Sequence, residues 1–361
     1  MSQVIQNEVL FYCRAGFESD LASEACEKAS LKGFNGYPVA IPDSGYVRYV
    51  LTGETAANDL QRRLVEEGMV FARQTLVALP PLFGLDREDR ISAIVALVRQ
   101  SGWSFEEIRQ EVPDTNDGKA LTALGRSLQK ALESACRKGG ALRRKAGKRW
   151  LHLFWFAGDG VQLAISFPGH RSEHQNGIHH LRFPREAPSR STLKLEEAWH
   201  TFIPRSEWDE VLGSALWAAD LGAAPGGWTF QLVQRGMSVY AIDNGPMDPS
   251  LMKSGQVEHL RADAYSWQPP HALEWLVCDM VDRPARVTDL MALWLTKGWT
   301  QRAVFNLKLP MKQRWQEVSS CLRLLETRLA EAQIEARVQC RQLYHDREEV
   351  TVYVHPEGDT R

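Results

Sequence analysis

From Trp217 to Val354 short apolar runs alternate with helix-like stretches: WAADLG, a helix, MSVYAID, VEHL, EWLVCD, a helix, AVFNLKL, a long helix to about Ala330, then RVQCRQLY and EEVTVYV. Parallel neighbours cannot be joined by a tight turn, so strands separated by helices require an open, mostly parallel α/β sheet covered on its faces. Two strands in succession at the end predict an antiparallel pair that finishes the sheet. Ligands bind such sheets outside the carboxyl ends of the strands. The polar residues that close these runs are therefore the first candidates for chemistry.

The rest of the chain is long enough for more than this one sheet. At 361 residues, a rule of about 100 to 200 residues per domain gives two or three domains. Residues 8 to 78 read β-α-β-β-α-β, with Pro42-Asp43-Ser44-Gly45 as a hairpin-type turn, which matches a ferredoxin-like unit. From Asp86 the order becomes helix, strand, long helix, then two apolar runs around Asp159-Gly160. In the long helix Leu121, Leu124, Leu128, Ala131 and Leu132 share one face. Residues 169–190 are rich in Pro, Gly, His and Arg without periodicity and are expected to connect the domains.

Composition excludes several classes. Hydrophobic residues at 44% and charged residues at 24% leave enough apolar side chain for more than one core, so disorder is not the main state. The net charge is -2, so polyanion binding needs a local basic patch. One such patch is CRKGGALRRKAGKRW at 136 to 150, which holds Arg137, Lys138, Arg143, Arg144, Lys145, Lys148 and Arg149 and no acid. It reads either as a solvated loop or as an edge that meets phosphates. Six cysteines without a C-x-x-C pair suit free thiols in a reducing compartment, and the N-terminus lacks a signal peptide pattern. A cytoplasmic protein is expected.

The most informative stretch is Asp220-Leu221-Gly222-Ala223-Ala224-Pro225-Gly226-Gly227-Trp228-Thr229, which follows a strand and opens a helix. Glycines there permit a tight turn and a close backbone approach to a ligand. Asp243 ends the next strand about 20 residues on, where an acid can accept hydrogen bonds from ribose hydroxyls. The spacing is G-x-x-x-G-G, not G-x-G-x-x-G, and no G-K-S/T follows, so a pyrophosphate is not the favoured ligand. At the ends of later strands stand Cys278-Asp279-Met280 and Asn306-Leu307-Lys308, while Lys194 precedes the sheet and Glu349 opens its last strand. Singly, Asp279 could cap a turn, and the others could be surface groups.

D-L-G-x-x-P-G-G-W resembles the S-adenosylmethionine loop of class I methyltransferases, in particular those that methylate the ribose 2'-hydroxyl of RNA. Lys194, Asp279, Lys308 and Glu349 look like the Lys-Asp-Lys-Glu tetrad of that group, in its order. APSRSTLKLEEAWHTFIP, ALWAADLGAAPGGWTFQLV, IDNGPM, WLVCDMV, FNLKLPMK and LYHDREEVTVYV together resemble the bacterial family of 23S rRNA ribose 2'-O-methyltransferases that modify a cytidine near the peptidyl transferase centre. CRAGFE, SGYV, FARQ, PPLFGLDREDR and VPDTN are similar to that family's N-terminal region.

The resemblance implies a ferredoxin-like domain at 1–80, a THUMP RNA-binding domain at 81–168, a linker at 169–190 and a Rossmann-like methyltransferase domain at 191–361. It implies S-adenosylmethionine as cofactor. Ser191, Ala224, Pro225, Gly226 and Gly227 would line its methionine part, Asp243 its ribose and Asp263 its adenine end, with Asp279 also beside it. Relatives can carry cysteine in place of Ala224, a change that a backbone contact survives. Lys308 would be the general base, its amine made partly neutral by burial and by the positive charges of Lys194 and the sulfonium. Asp279 would oppose that shift while orienting the amine, and Lys194 and Glu349 would place the substrate. The implied partner is 23S rRNA before full large-subunit assembly, bound by a monomer, with no metal.

His170, His174, His179 and His180 have no cysteine or carboxylate at a ligand spacing, so a metal is not expected. Of the tryptophans Trp150, Trp155, Trp228 and Trp315, Trp228 beside the loop is the one expected to lie outside the core. The rival readings are a methyltransferase of a non-RNA acceptor, a noncatalytic RNA-binding or ribosome-assembly factor, and a nicotinamide oxidoreductase lacking the usual fingerprint.

Overall fold

A computed structural model describes residues 6–53 and 56–357. The chain divides into two compact units, 1–179 and 180–361. In the first, β1 (Glu8–Tyr12), α1 (Glu18–Leu31), β2 (Gly36–Ala40), β3 (Tyr46–Leu51), α2 (Ala57–Glu67) and β4 (Gln74–Ala78) follow the expected β-α-β-β-α-β order. They are followed by α3 (Arg90–Ser101), β5 (Glu107–Glu111), α4 (Asn116–Lys138), β6 (Trp150–Ala157) and β7 (Gly160–Ser166).

The two sets of strands form one sheet, in the order β2-β3-β1-β4-β7-β6-β5. The join is the antiparallel pair β4 and β7, where Val77 faces Ile165 and Ala78 faces Ala164. Leu10, Tyr12, Leu76 and Ala78 from one set pack with Phe154 and Ala164 from the other, so one core spans both. Behind it lies a wholly enclosed polar network. Glu111 accepts from Tyr12 Oη at 2.7 Å and sits 2.8 Å from His152 Nδ1, and His152 Nε2 sits 2.8 Å from Ser166 Oγ. Its Ser-His-Glu order resembles a hydrolytic triad, but Glu111, His152 and Ser166 are all 0% exposed, so it can only hold the sheet together.

Two expectations are corrected in this unit. The buried stripe of α4 is Gly118, Gly125, Leu132 and Cys136; Leu121, Leu124 and Leu128 are half-buried and Ala131 is exposed. Glycines lie on the stripe because the helix runs close to the sheet: a Cβ on Gly125 would stand 3.0 Å from Gln110 Cβ. Residues 170–177, expected to be part of a connector, belong to the first unit. Gln61 Nε2 donates to His170 O (2.9 Å), Gln74 Oε1 accepts from Ser172 N (2.9 Å) and Glu111 Oε1 accepts from Asn176 N (3.0 Å). These side chains hold an aperiodic, half-exposed segment against the unit by hydrogen bonds to its backbone.

In the second unit α5 (Thr192–Phe202) and α6 (Trp208–Val211) precede β8 (Trp217–Leu221), α7 (Gly227–Gln234), β9 (Ser238–Ile242), α8 (Pro249–Lys253) and β10 (Val257–Leu260). Then come β11 (Leu273–Cys278), α9 (Pro284–Thr296), β12 (Thr300–Lys308), α10 (Arg314–Glu331), β13 (Ala336–Arg341) and β14 (Glu349–Pro356). The sheet order is β10-β9-β8-β11-β12-β14-β13. β10 to β12 run parallel, and β14 is antiparallel to both β12 and β13. This is the parallel sheet with an antiparallel finish that the alternation predicts. Its order reverses between β8 and β11, which opens a crevice at their carboxyl ends.

One core of this unit gathers Trp199, Trp208, Trp228, Trp275 and Tyr353. Trp228 is 2% exposed within it and its indole Nε1 has no hydrogen-bond partner, which corrects the expectation that it lies outside the core. Its position at the first turn of α7 points it under the helix. Trp150, Trp155 and Trp315 are buried as well.

Gly177 has φ +70° and a Cβ there would collide with the Arg73 carbonyl, whereas Gly140, at φ +75°, has open space around it. Gly177→Ala should therefore cost about 3 kcal/mol and Gly140→Ala about 1 kcal/mol in urea denaturation of the first unit's transition. Equal losses would mean that the 170–177 segment is not packed as described.

Candidate active site

The loop after β8 is shaped by its own neighbours. Gly222 (φ +77°) and Gly226 (φ +115°) adopt left-handed backbone, and the Ala224-Pro225 peptide is cis. A Cβ on Gly222 would strike Met280, one on Gly226 would strike Leu251, and one on Gly227 would strike the hydroxyls of Ser189 and Ser191. The glycines thus allow close packing within the chain: Gly222 against the segment after β11, and Gly227 against the start of α5. That packing brings three separate stretches of sequence to one edge of the sheet. Ser191 and Ala224 are half-buried beside the loop, and Pro225 is exposed.

Asp243, at the end of β9, holds the loop from the other side. Its Oδ2 accepts from Ala224 N at 3.0 Å and its Oδ1 from Gly245 N at 2.7 Å. Each oxygen keeps a second lone pair, and the residue is only half-buried. An oriented carboxylate with spare acceptor capacity fits a ribose diol. Asp263 is exposed, and its Oδ1 accepts from Tyr265 N (3.1 Å) in a turn of its own.

Beneath the loop Asp220 is 1% exposed and accepts from Thr229 Oγ1 at 2.6 Å. Burial pushes its carboxyl up to about 7, with the charges of Asp279 and Asp243 adding to the effect and the Thr229 bond opposing it. It lies on β8 opposite Val277 of β11. The sequence reading gave Asp220 no role beyond the loop motif; its acidity was visible there and its burial was not.

Lys194, Asp279, Lys308 and Glu349 meet. Lys194 Nζ stands 3.1 Å from Asp279 Oδ2 and 2.5 Å from Glu349 Oε1; Lys308 Nζ stands 2.5 Å from Asp279 Oδ1 and also pairs with Glu349 Oε2. Cations and anions therefore alternate around a ring, each touching both of the opposite sign. Their side chains are 15% (Lys194), 16% (Asp279), 22% (Lys308) and 7% (Glu349) exposed, so the ring is shielded but open on one side. Charge balance makes this burial tolerable, because one unmatched member would be an uncompensated charge in low dielectric.

The elements explain how the ring forms. β12 and β14 pair with Lys308 facing Glu349 and Asn306 facing Thr351. Asp279 follows β11, whose Cys278 pairs with Phe305 of β12. Lys194 is presented by the first turn of α5, which is tied to α7 by Gln231 Nε2 donating to Thr192 Oγ1 at 3.0 Å. The loop containing Tyr344 and His345 is clamped by Glu197 of α5, whose carboxylate accepts from their backbone N–H groups at 2.8 and 2.9 Å.

Lys308 departs from expectation in one respect. Burial pushes its ammonium down, but the adjacent Asp279 and Glu349 carboxylates outweigh burial and hold it above the ordinary lysine value. The positive neighbour Lys194 does not reverse this, because both carboxylates lie between them. Asn306 was not assigned a role from sequence. Its Nδ2 donates to Asp279 Oδ1 at 3.0 Å. The available signal was that it sits two residues before Lys308 on an apolar strand, and therefore on the same face.

A sheet that reverses at β8 and β11, a tight loop with a carboxylate at the end of the neighbouring strand, and two lysines and two acids at the carboxyl edge define a class I methyltransferase that uses S-adenosylmethionine. Residues 187–340 match the FtsJ-like methyltransferase model, residues 6–76 the RlmM ferredoxin-like domain and residues 89–167 the N-terminal model of ribosomal RNA large subunit methyltransferase M. A ribosomal RNA large subunit methyltransferase M from Chromohalobacter salexigens is 63% identical over 97% of this chain and 98% of its own. One from a Marinomonas species is 47% identical over 96% of this chain and 98% of its own. The chain belongs to the ribosomal RNA large subunit methyltransferase M family. No helix among the described residues is long and apolar enough to cross a membrane.

The raised pKa of Asp220 has a signed consequence for stability. The folded state keeps its proton up to about pH 7 while the unfolded chain loses it near its ordinary value of 3.8. Between those values the folded protein binds more protons, so this group's contribution falls as pH rises and levels off above about 7. Asp220→Asn, which can still accept from Thr229, should gain about 1–3 kcal/mol on the wild type between pH 5 and pH 8 in parallel denaturation curves. A pH-independent difference would mean that Asp220 is ionised in the fold.

Proposed function

We propose that this protein transfers a methyl group from S-adenosylmethionine to the ribose 2'-hydroxyl of a cytidine in 23S rRNA, with Lys308 as general base. The observation that carries the reading is the closed ring of Lys194, Asp279, Lys308 and Glu349, drawn from four separate segments to the edge that also holds the loop and Asp243. Ser191, Ala224, Pro225, Gly226 and Gly227 would hold the methionine part of the cofactor and Asp243 its ribose. Asp263 would face the adenine end and Asp279 the reacting centre.

When bound, the cofactor supplies a methyl group already activated on a sulfonium. What the protein must add is alignment of the hydroxyl and a place for its proton. Lys308 Nζ accepts that proton as the oxygen is methylated. To do so it must first be neutral, and in the resting ring its two carboxylates favour the ammonium. A cation placed beside the ring opposes those carboxylates, so binding itself favours loss of the lysine proton. Asp279 orients the amine, while Lys194 and Glu349 fix the position of the ribose and keep the ring's charges balanced.

The basic loop supports an RNA acceptor. Arg143, Arg144, Lys145 and Lys148 are exposed, while the neighbouring Ala141, Leu142 and Ala146 are buried. Glu106 Oε1 accepts from the backbone N–H groups of Ala146 (3.0 Å) and Lys148 (2.8 Å), so the loop is built to present its cations outward. A THUMP-type role for residues 81–168 in binding RNA backbone accords with that arrangement. We further propose that the enzyme acts in the cytoplasm as a monomer, on RNA before the large subunit is fully assembled.

The test is labelled S-adenosylmethionine with unmodified 23S rRNA, free and in assembled subunits, the methyl group being located by mass spectrometry. One ribose-methylated cytidine is expected, more on free RNA than on subunits. Lys308→Ala should lower the rate by at least about 100-fold. Transfer to a non-RNA acceptor, or full activity in the variant, would overturn the reading. Because Lys308 is held as an ammonium, single-turnover rates should rise about tenfold per pH unit from about pH 6.5 to 8.5. Replacing Arg143, Arg144 and Lys145 by Glu should weaken RNA binding and flatten its salt dependence.

A further inference from the structure

The ring continues into the protein interior through a chain of side chains that no catalytic assignment includes. Asn306 Nδ2 donates to Asp279 Oδ1 at 3.0 Å, and its Oδ1 lies 2.8 Å from Thr351 Oγ1. Thr351 Oγ1 lies in turn 2.9 Å from Asp346 Oδ2. Asn306, Thr351 and Asp346 are each 0% exposed. Asp346 belongs to the turn between β13 and β14, where its Oδ2 also accepts from Leu343 N at 2.9 Å.

Counting protons decides the direction of this chain. Asp279 accepts from two lysines and is ionised, so it can only accept from Asn306, which places the amide nitrogen toward Asp279 and the amide oxygen toward Thr351. That oxygen needs a donor, and Thr351 is the group within reach. A threonine hydroxyl has one proton, and it is now used. The 2.9 Å contact between Thr351 Oγ1 and Asp346 Oδ2 is then a hydrogen bond only if the proton between them belongs to Asp346.

We propose that Asp346 is a neutral carboxylic acid and the terminal donor of a buried chain that runs through Thr351 and Asn306 to Asp279, making all three positioning residues for the ring. The inference rests on the reading of the ring as the catalytic centre.

Two further observations agree with a neutral Asp346. Its Oδ1 is buried without any hydrogen-bond partner, which an acid's carbonyl oxygen tolerates better than a carboxylate's. The charged groups that act on it are Glu349 on β14, Glu197 on α5 and Lys194 on α5. Burial comes first in holding its proton well above the ordinary range and the two glutamates add to it, while the Leu343 N–H bond and Lys194 oppose them. Neutrality matters to the chemistry because a fifth charged group, an anion, would raise the Lys308 ammonium further. As an acid, Asp346 contributes a donor and leaves the ring balanced.

Two measurements test this on the full-length protein. Infrared difference spectra at pH 7.5 should show a carboxylic-acid carbonyl band that is lost in Asp346→Asn and kept in Asp220→Asn. Methyl transfer to 23S rRNA should fall about 10- to 100-fold in kcat in Thr351→Val, with KM for RNA and cofactor within about twofold. Thr351→Ser, which restores the hydroxyl, should recover most of the rate. Asp346→Asn and Asp346→Ala should both fall as Thr351→Val does, because an amide nitrogen in the place of Oδ2 could donate to Thr351 but could not also accept from Leu343 N. Absence of the band, or wild-type turnover in Thr351→Val or in Asp346→Ala, would overturn the proposal. If Thr351→Val does not fold, the band and Asp346→Ala decide it. Lys308→Ala in the same assay separates the two readings: activity there would remove the catalytic ring, and the band would still report the state of Asp346.

Discussion

The antiparallel pairing of β12 with β14 is the constraint on which the site depends. In that register Lys308 faces Glu349 and Asn306 faces Thr351, so two cross-strand pairs on one face supply half of the ring and the first link behind it. A shift of β14 by one residue would turn Glu349 and Thr351 to the opposite face of the sheet, away from Lys308 and Asn306. The turn between β13 and β14 secures the register. Glu197 accepts from the backbone of Tyr344 and His345, and Asp346 accepts from Leu343 N, so the loop entering β14 has few other ways to lie.

Electrostatics then determines how the ring behaves. Two ammonium and two carboxylate groups cancel, which allows four ionisable side chains to sit mostly out of water. The same balance stabilises the protonated form of the residue proposed as the base. A resting site in which Lys308 is an ammonium is consistent with a base that becomes competent only when a further positive charge arrives, so that proton removal is coupled to occupancy. Asp220, Cys278 and Asp346, which surround the ring from beneath, are all pushed by burial toward their neutral forms. The charge at this edge of the sheet is therefore confined to the groups that face outward.

The first unit obeys a different economy. Its strands close one seven-stranded sheet through only two paired residues on β4, and a core that includes Tyr12 and Phe154 crosses the join. The segment at 170–177 is fixed by side chains from α2, β4 and β5. A segment poor in apolar residues is thus held by hydrogen bonds to buried amides and a buried glutamate, where an amphipathic element would be held by packing.

Local pattern alone determined much of this protein. The alternation of strands and helices dictated the second sheet and its antiparallel finish, because parallel strands need crossovers and β13 and β14 have none between them. The loop from Asp220 to Gly227 and Asp243 at the end of the next strand were legible where apolar runs close, whereas the four ring residues stood out only through their order, which resembles the family's tetrad. Tertiary structure decided what depends on distance. It decided that Leu121 and Leu124 yield to Gly118 and Gly125 on the buried stripe of α4, because the Pro113 carbonyl against Gly118 and Gln110 of β5 against Gly125 leave no room for a side chain. It buried Trp228, raised the Lys308 ammonium where sequence reasoning lowered it, and joined Asn306, Thr351 and Asp346 to the ring. A sequence shows which groups can ionise or donate; only the fold sets the neighbours and burial that fix which of them do.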